Sequence, residues 1–124
     1  MSTLNVSNIS DGTTTIPTTY VTNGSAKAWI NFNGTGTIAA RESLNVSSLT
    51  DNGTGIYTVN FTDSFDTADY GAVVGGRQLG TGVVVQGPVF LAPTTSAFRL
   101  ASTTFAPVVI DAEYVFLVCH GDLA

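Results

Sequence analysis

Charge is scarce in this sequence. Lysine and arginine number four (Lys27, Arg41, Arg77 and Arg99) against nine acidic residues, giving a net charge of −5 with charged residues at 10 %, far below the usual roughly 25 %. The four cations are scattered, so no basic patch exists to neutralise phosphates, and nucleic acid is not an expected partner. An anionic membrane surface finds as little to hold. Cysteine occurs once, at Cys119, which excludes an internal disulfide framework and a cysteine-based zinc site. Cys119 lies in an apolar run and reads as a small buried hydrophobe. No apolar run approaches the roughly 18 residues of a membrane span. The start, MSTLNVSNIS, has neither a basic n-region nor an apolar h-region, so neither a signal peptide nor membrane insertion is expected.

Threonine, serine, asparagine and glycine fill the space that charge leaves. The organising stretch is 26–61. In Lys27–Asn33, Ala28, Ile30 and Phe32 share one side and Lys27, Trp29, Asn31 and Asn33 the other. In Ile56–Phe61, Tyr57, Val59 and Phe61 alternate with Ile56, Thr58 and Asn60. Period-two alternation is the pattern of half-buried strands. The Gly-rich punctuations Asn33–Gly36 and Asp51–Gly55 supply residues that tolerate the positive φ of tight reversals. Three antiparallel strands are therefore expected, at 27–33, 37–46 and 55–61. Further strands are expected at Tyr70–Gly76, Val83–Val85, Ala97–Ser102 and Ala112–Cys119, with Val89–Ala92 an edge piece or loop between Pro88 and Pro93. Helical periodicity is missing throughout. The fold class read from this is all-β: a single antiparallel β-sandwich domain, jelly-roll-like, over 26–124, preceded by an extended N-terminal arm over 1–25. The expected core is Ile30, Phe32, Tyr57, Val59, Phe61, Val73, Phe98, Leu100, Tyr114, Phe116 and Val118.

No constellation in the sequence suits catalysis, and no cofactor is implied. The one histidine, His120, stands past the last expected strand and reads as a solvated residue or a subunit contact rather than a general base. Glu42 and Glu113 are the only glutamates; a pairing of glycosidase type is not suggested, and both read as strand charges that discourage edge aggregation. Asp63, Asp66 and Asp69 form the densest acidic group, but without the spacing of a calcium loop they read as a polar turn or a single helical turn. Gly75–Gly80 lacks the Lys-Ser/Thr ending of a phosphate loop. Seven Asn-X-Ser/Thr sequons follow from the composition. No catalytic, cofactor-binding or metal-binding residue is named.

The wording of three stretches, Lys27–Gly36 (KAWINFNGTG), Leu44–Gly55 (LNVSSLTDNGTG) and Tyr57–Phe61 (YTVNF), with the opening Met1–Val6 and the closing Asp111–Tyr114, resembles a family of small virion proteins of tailed phages, notably those of marine bacteria and cyanobacteria. These are described as tail-fibre or structural proteins. The resemblance implies a virion component assembled in the bacterial cytoplasm and carries no active site. Two placements stay open: a module of a tail fibre that contacts a host-surface glycan or protein, or a capsid decoration or head-fibre protein. Leu4, Val6 and Ile9 are the candidate attachment residues for another virion protein; the alternative is that 1–25 folds back on its own domain. A homotrimer is expected, partly from the resemblance and partly because several strands are apolar on both faces. Trp29, Phe90 and Phe105 are the candidate subunit contacts; for Trp29 a second buried face is the alternative.

Overall fold

The computed structural model describes residues 1–78, 84–85, 89–104 and 108–124, with the backbone alone at 84–85 and 89–92. Two antiparallel sheets pack together, as an all-β sandwich requires. The first has five strands in the order β4-β3-β11-β7-β8: β3 (Ala26–Asn33), β4 (Ala39–Leu44), β7 (Gly71–Arg77), β8 (Val84–Val85) and β11 (Tyr114–His120). The second has four, in the order β5-β6-β10-β9: β5 (Val46–Asp51), β6 (Ile56–Phe61), β9 (Val89–Pro93) and β10 (Ala97–Ala101). Consecutive strands pair as hairpins within one sheet, and the chain changes sheet between hairpins. β11 then returns to pair with both β3 and β7.

The core is what the alternation of β3, β6 and β10 requires. Ile30, Phe32, Tyr57, Val59, Phe61, Phe98 and Leu100 are buried. Phe32 of one sheet meets Tyr57 of the other edge-on, with ring centroids 5.2 Å apart. At the other end Phe61, Phe65 and Tyr70 form a second aromatic group, Phe65 stacked on Tyr70 at 4.2 Å. Tyr57 is buried with its polar end satisfied: the hydroxyl donates to the Gly34 carbonyl (2.9 Å) and also reaches Asp111 Oδ1 (3.2 Å). Asp111 Oδ1 in turn accepts the Gly55 N–H at 2.6 Å. One hydroxyl and one carboxylate thus tie the β3–β4 turn, the β5–β6 turn and the lead into β11.

Two expectations are corrected. Residues 37–46 are not one strand. β4 ends at Leu44, Asn45 takes a left-handed conformation (φ 56°), and β5 begins at Val46 in the opposite sheet. Asparagine is among the few residues with a side chain that tolerate this corner. Here its side chain also brackets Asp63, accepting that residue's N–H (2.7 Å) and donating to its carbonyl (3.0 Å). The second correction concerns β11 and β7. Val115, Leu117 and Cys119 face the core, whereas Phe116 and Val73 are exposed and Tyr114 and Val118 half-buried. A one-residue change of parity moves every side chain of a strand to the other face. β11 is apolar on both faces, so its sequence does not announce which set goes in.

Residues 1–25 carry a hairpin of β1 (Asn8–Ser10) and β2 (Thr15–Pro17), then a single helical turn, α1 (Thr19–Thr22). Asp11 shapes the hairpin turn, its Oδ1 accepting the N–H groups of Thr13 (2.9 Å) and Thr14 (2.7 Å). Pro17 is tolerated because a two-stranded ribbon has only edge strands. Every residue of this lead is exposed except Thr18, which is half-buried. Lys27 ties the lead to the sandwich, Nζ donating to the carbonyls of Thr22 and Ser25.

Candidate functional site

The consequence of β11's parity is a second apolar surface on the outer face of the five-stranded sheet. Register places Val118 opposite Trp29 on one side and Val73 on the other, and Trp29 opposite Leu44. Paired residues share a face, so Leu44, Trp29, Val118 and Val73 form one apolar row across four strands. Val73 is 62 % exposed and Leu44 48 %. Scattered apolar residues on a surface need no explanation, but a contiguous row marks a surface that something else covers.

Along β11 the face changes character. Phe116, 44 % exposed, lies between Asn31 of β3 and Gly75 of β7. A Cβ on Gly75 would collide with the Phe116 ring, so the ring rests on bare glycine backbone. Next comes Tyr114, opposite Arg77. Its ring has two guanidiniums over it, Arg41 at 4.1 Å and Arg77 at 5.5 Å from the centroid. Arg41 reaches it because β4 bulges opposite the Asn31–Phe32 step, leaving Arg41 as the extra residue; bulges re-aim side chains in this way. Arg41 is further held by Asn31 Oδ1 (3.3 Å) and the Glu113 carbonyl (2.8 Å). Asn31, Arg77, Tyr114 and Phe116 line a cavity of about 380 Å³, within the roughly 300–1,000 Å³ range of small-molecule sites.

No protein-family model, curated protein or solved structure matches this chain. What it does must be read from its own surface.

Of the expected interface residues, Trp29 lies in this apolar row. Phe90 belongs to β9, at the edge of the other sheet and opposite Leu100, so its strand is not part of this face; its side chain lies outside the described residues, as does all of Phe105. Leu4, Val6 and Ile9 are exposed at 82 %, 40 % and 44 %, with Ile9 paired to Ile16 in the hairpin. The residues that sequence reasoning missed are Tyr114, Phe116 and Val118, assigned to the core, and Arg41 and Arg77, left as scattered charges. The signal that could have found them is the Gly75–Arg77 spacing, which matches Phe116 and Tyr114 across one strand pair.

The other candidate chemistry disperses. Asp63, Asp66 and Asp69 are exposed in a turn, where the Asp66 N–H donates to the Asp122 carbonyl at 2.8 Å. Among the described residues no three His, Cys, Asp or Glu side chains are grouped to hold a metal. His120 is exposed at the end of β11. Cys119 is fully buried, and burial pushes its thiol up to about 12, so it stays an unreactive thiol at neutral pH. No helix of the described residues is long and apolar enough to cross a membrane.

Proposed function

We propose that this chain is a non-enzymatic bacteriophage virion protein: a β-sandwich module of a tail fibre or fibre-like appendage, working as a homotrimer and contacting the host surface. The observation that carries a binding role is the exposed row Leu44–Trp29–Val118–Val73 on a rigid sheet. An apolar row left in water is unfavourable, and a closed cyclic assembly covers it without an open, polymerising end. Low charge removes much of the repulsion between identical chains. The virion assignment rests on the resemblance of the stretches that form β3, the β5–β6 hairpin and the lead into β11. Other virion proteins are its expected neighbours, with localisation on the particle after assembly in the bacterial cytoplasm. Neither a cofactor nor nucleic acid enters the reading.

A second placement is favoured by the lead. Residues 1–25 present Leu4, Val6 and Ile9 to solvent, with Ile16, Tyr20 and Val21 exposed beside them. A polar lead that carries a few exposed apolar anchors suits attachment to a capsid or tail wall, which is the decoration or head-fibre reading. Immunogold labelling of intact particles tests both. Label on fibre tips at a few to a few dozen copies supports the first, and label spread over the capsid at high copy supports the second. Particles that carry no label refute the virion reading.

A further inference from the structure

The polar end of the outer face has the chemistry of a ligand site. We infer that the corner formed by Asn31, Arg77, Tyr114 and Phe116 binds an acidic saccharide, a sugar whose ring carries a carboxylate; this deepens the proposed host-surface contact and rests on it.

Only four cations exist in a chain of net charge −5, yet two of them stand over one ring. At 4.1 and 5.5 Å from the same centroid, the two guanidinium carbons lie within about 10 Å of each other, roughly one Debye length. Like charges at that range repel, and an anion between or beside them reverses the sign. The two are not equivalent. Arg41 is committed to Asn31 Oδ1 and the Glu113 carbonyl. Arg77 is exposed, lines the cavity and has no side-chain hydrogen-bond partner among the described residues, so its fork of N–H groups is the one placed to take a carboxylate in bidentate fashion.

The other walls suit a sugar. Phe116, a residue 44 % exposed, lies with its ring against the Gly75 backbone, an apolar plate for the C–H face of a pyranose. Asn31 Oδ1 accepts from Arg41, which orients the amide, and Nδ2, without a partner among the described residues, is left as a donor for a hydroxyl. The opposing charge is Glu42, paired in register with Asn31 on β4; it disfavours an anion on that side and directs the carboxylate towards Arg77. A cavity of about 380 Å³ has room for a short saccharide and not for a protein surface. One phosphate-sized anion would leave the Phe116 plate unused, and a nucleic acid would need more cations than the chain has. Along β11 the row at Val118 lies two residues, about 7 Å, from Phe116 and four, about 13 Å, from Tyr114, so the ligand site adjoins the subunit contact on the same face.

The test uses the full chain and three probes: a glucuronic acid oligosaccharide, the glucose oligosaccharide of equal length, and sodium sulfate, each followed by calorimetry and by saturation-transfer NMR. The acidic oligosaccharide is expected to bind at least about ten-fold more tightly than the neutral one, the factor one charge-assisted hydrogen bond supplies. Arg77→Gln should remove that difference, and Phe116→Ala should weaken both oligosaccharides. Arg99→Gln, at an exposed position on the other sheet, should change nothing. Thermal unfolding of each variant shows that it remains folded. Equal binding of the two oligosaccharides, no binding of the acidic one, an Arg99→Gln effect as large as that of Arg77→Gln, or full competition by sulfate alone each overturns the proposal. Unlabelled particles together with intact acidic-saccharide binding would refute the virion reading and leave this site standing.

Discussion

Gly34 is glycine because nothing else fits. A Cβ there would stand 2.5 Å from Tyr57 Oη and 2.7 Å from the Ala112 carbonyl oxygen, and the second of these is backbone that cannot swing aside. Gly34→Ala is expected to cost about 1–3 kcal/mol, read as a lower denaturant midpoint at unchanged slope. The hydroxyl it would displace also sets an alkaline limit on the fold. Burial first, then the nearby Asp111 carboxylate, push the Tyr57 pKa far above its ordinary 10.0, and burial raises Tyr70 in the same direction. The unfolded chain therefore releases these protons first. Their contribution to stability is complete below pH 10 and is lost as pH rises through the unfolded value towards the folded one. Tyrosinate absorbance from Tyr57 and Tyr70 should appear only together with loss of strand signal. Tyr57→Phe should flatten the decline in stability above pH 10, and an unchanged slope would count against the buried hydroxyl.

β11 offers the sharpest test at the scale of an element, because its two faces differ in surroundings and not in composition. Leu117→Ala should cost about 2–5 kcal/mol, as a buried truncation does, whereas Phe116→Ala in the monomeric unit should cost under about 1 kcal/mol. Comparable losses in urea titration would mean that the strand is packed from both sides even without a partner. The same strand shows where sequence reading stopped. β3, β6 and β10 were legible because each sets apolar against polar residues at period two. In Tyr114–His120 both sets are apolar, so existence and type of the strand could be read and its parity could not. β5 was hidden for a different reason: a bulge between Val46 and Ser48 puts its apolar residues, Val46 and Leu49, three apart. Of the candidate site, Trp29 was visible as an aromatic on a polar face, whereas Tyr114 and Phe116 looked like core. In the lead, the β1–β2 hairpin turn depends on Asp11, whose pKa is lowered from 3.8 by the N–H groups of Thr14 and Thr13. A depressed carboxylate stabilises above its unfolded pKa and ceases to as pH falls through the folded value. Cross-strand contacts between Ile9 and Ile16 in NMR spectra should fade in acid, and Asp11→Ala should weaken them at neutral pH.

For the whole molecule the test is mass. The proposed trimer predicts light scattering at about three times 12.8 kDa. Val73→Asp, which puts a charge at the most exposed position of the apolar row, should shift it towards a monomer with little loss in unfolding temperature. A wild-type monomer at micromolar concentration would refute the trimer. One feature of the topology reaches into synthesis. β11 is the last strand in chain order and yet fills the centre of the five-stranded sheet, between β3 and β7. The residues of β3 that it pairs with leave the ribosome 83 to 94 residues earlier, which at about 5–20 residues per second is a delay of roughly 4 to 19 s. Once β7 has emerged, and until β11 follows 37 to 49 residues later, a nascent chain holds an open slot with two unpaired edges. Neighbouring ribosomes on one message carry slots of the same shape, and the first finished β11 to emerge fits any of them. Ribosome spacing and chaperone cover therefore bear on whether each chain closes on itself or on its neighbour.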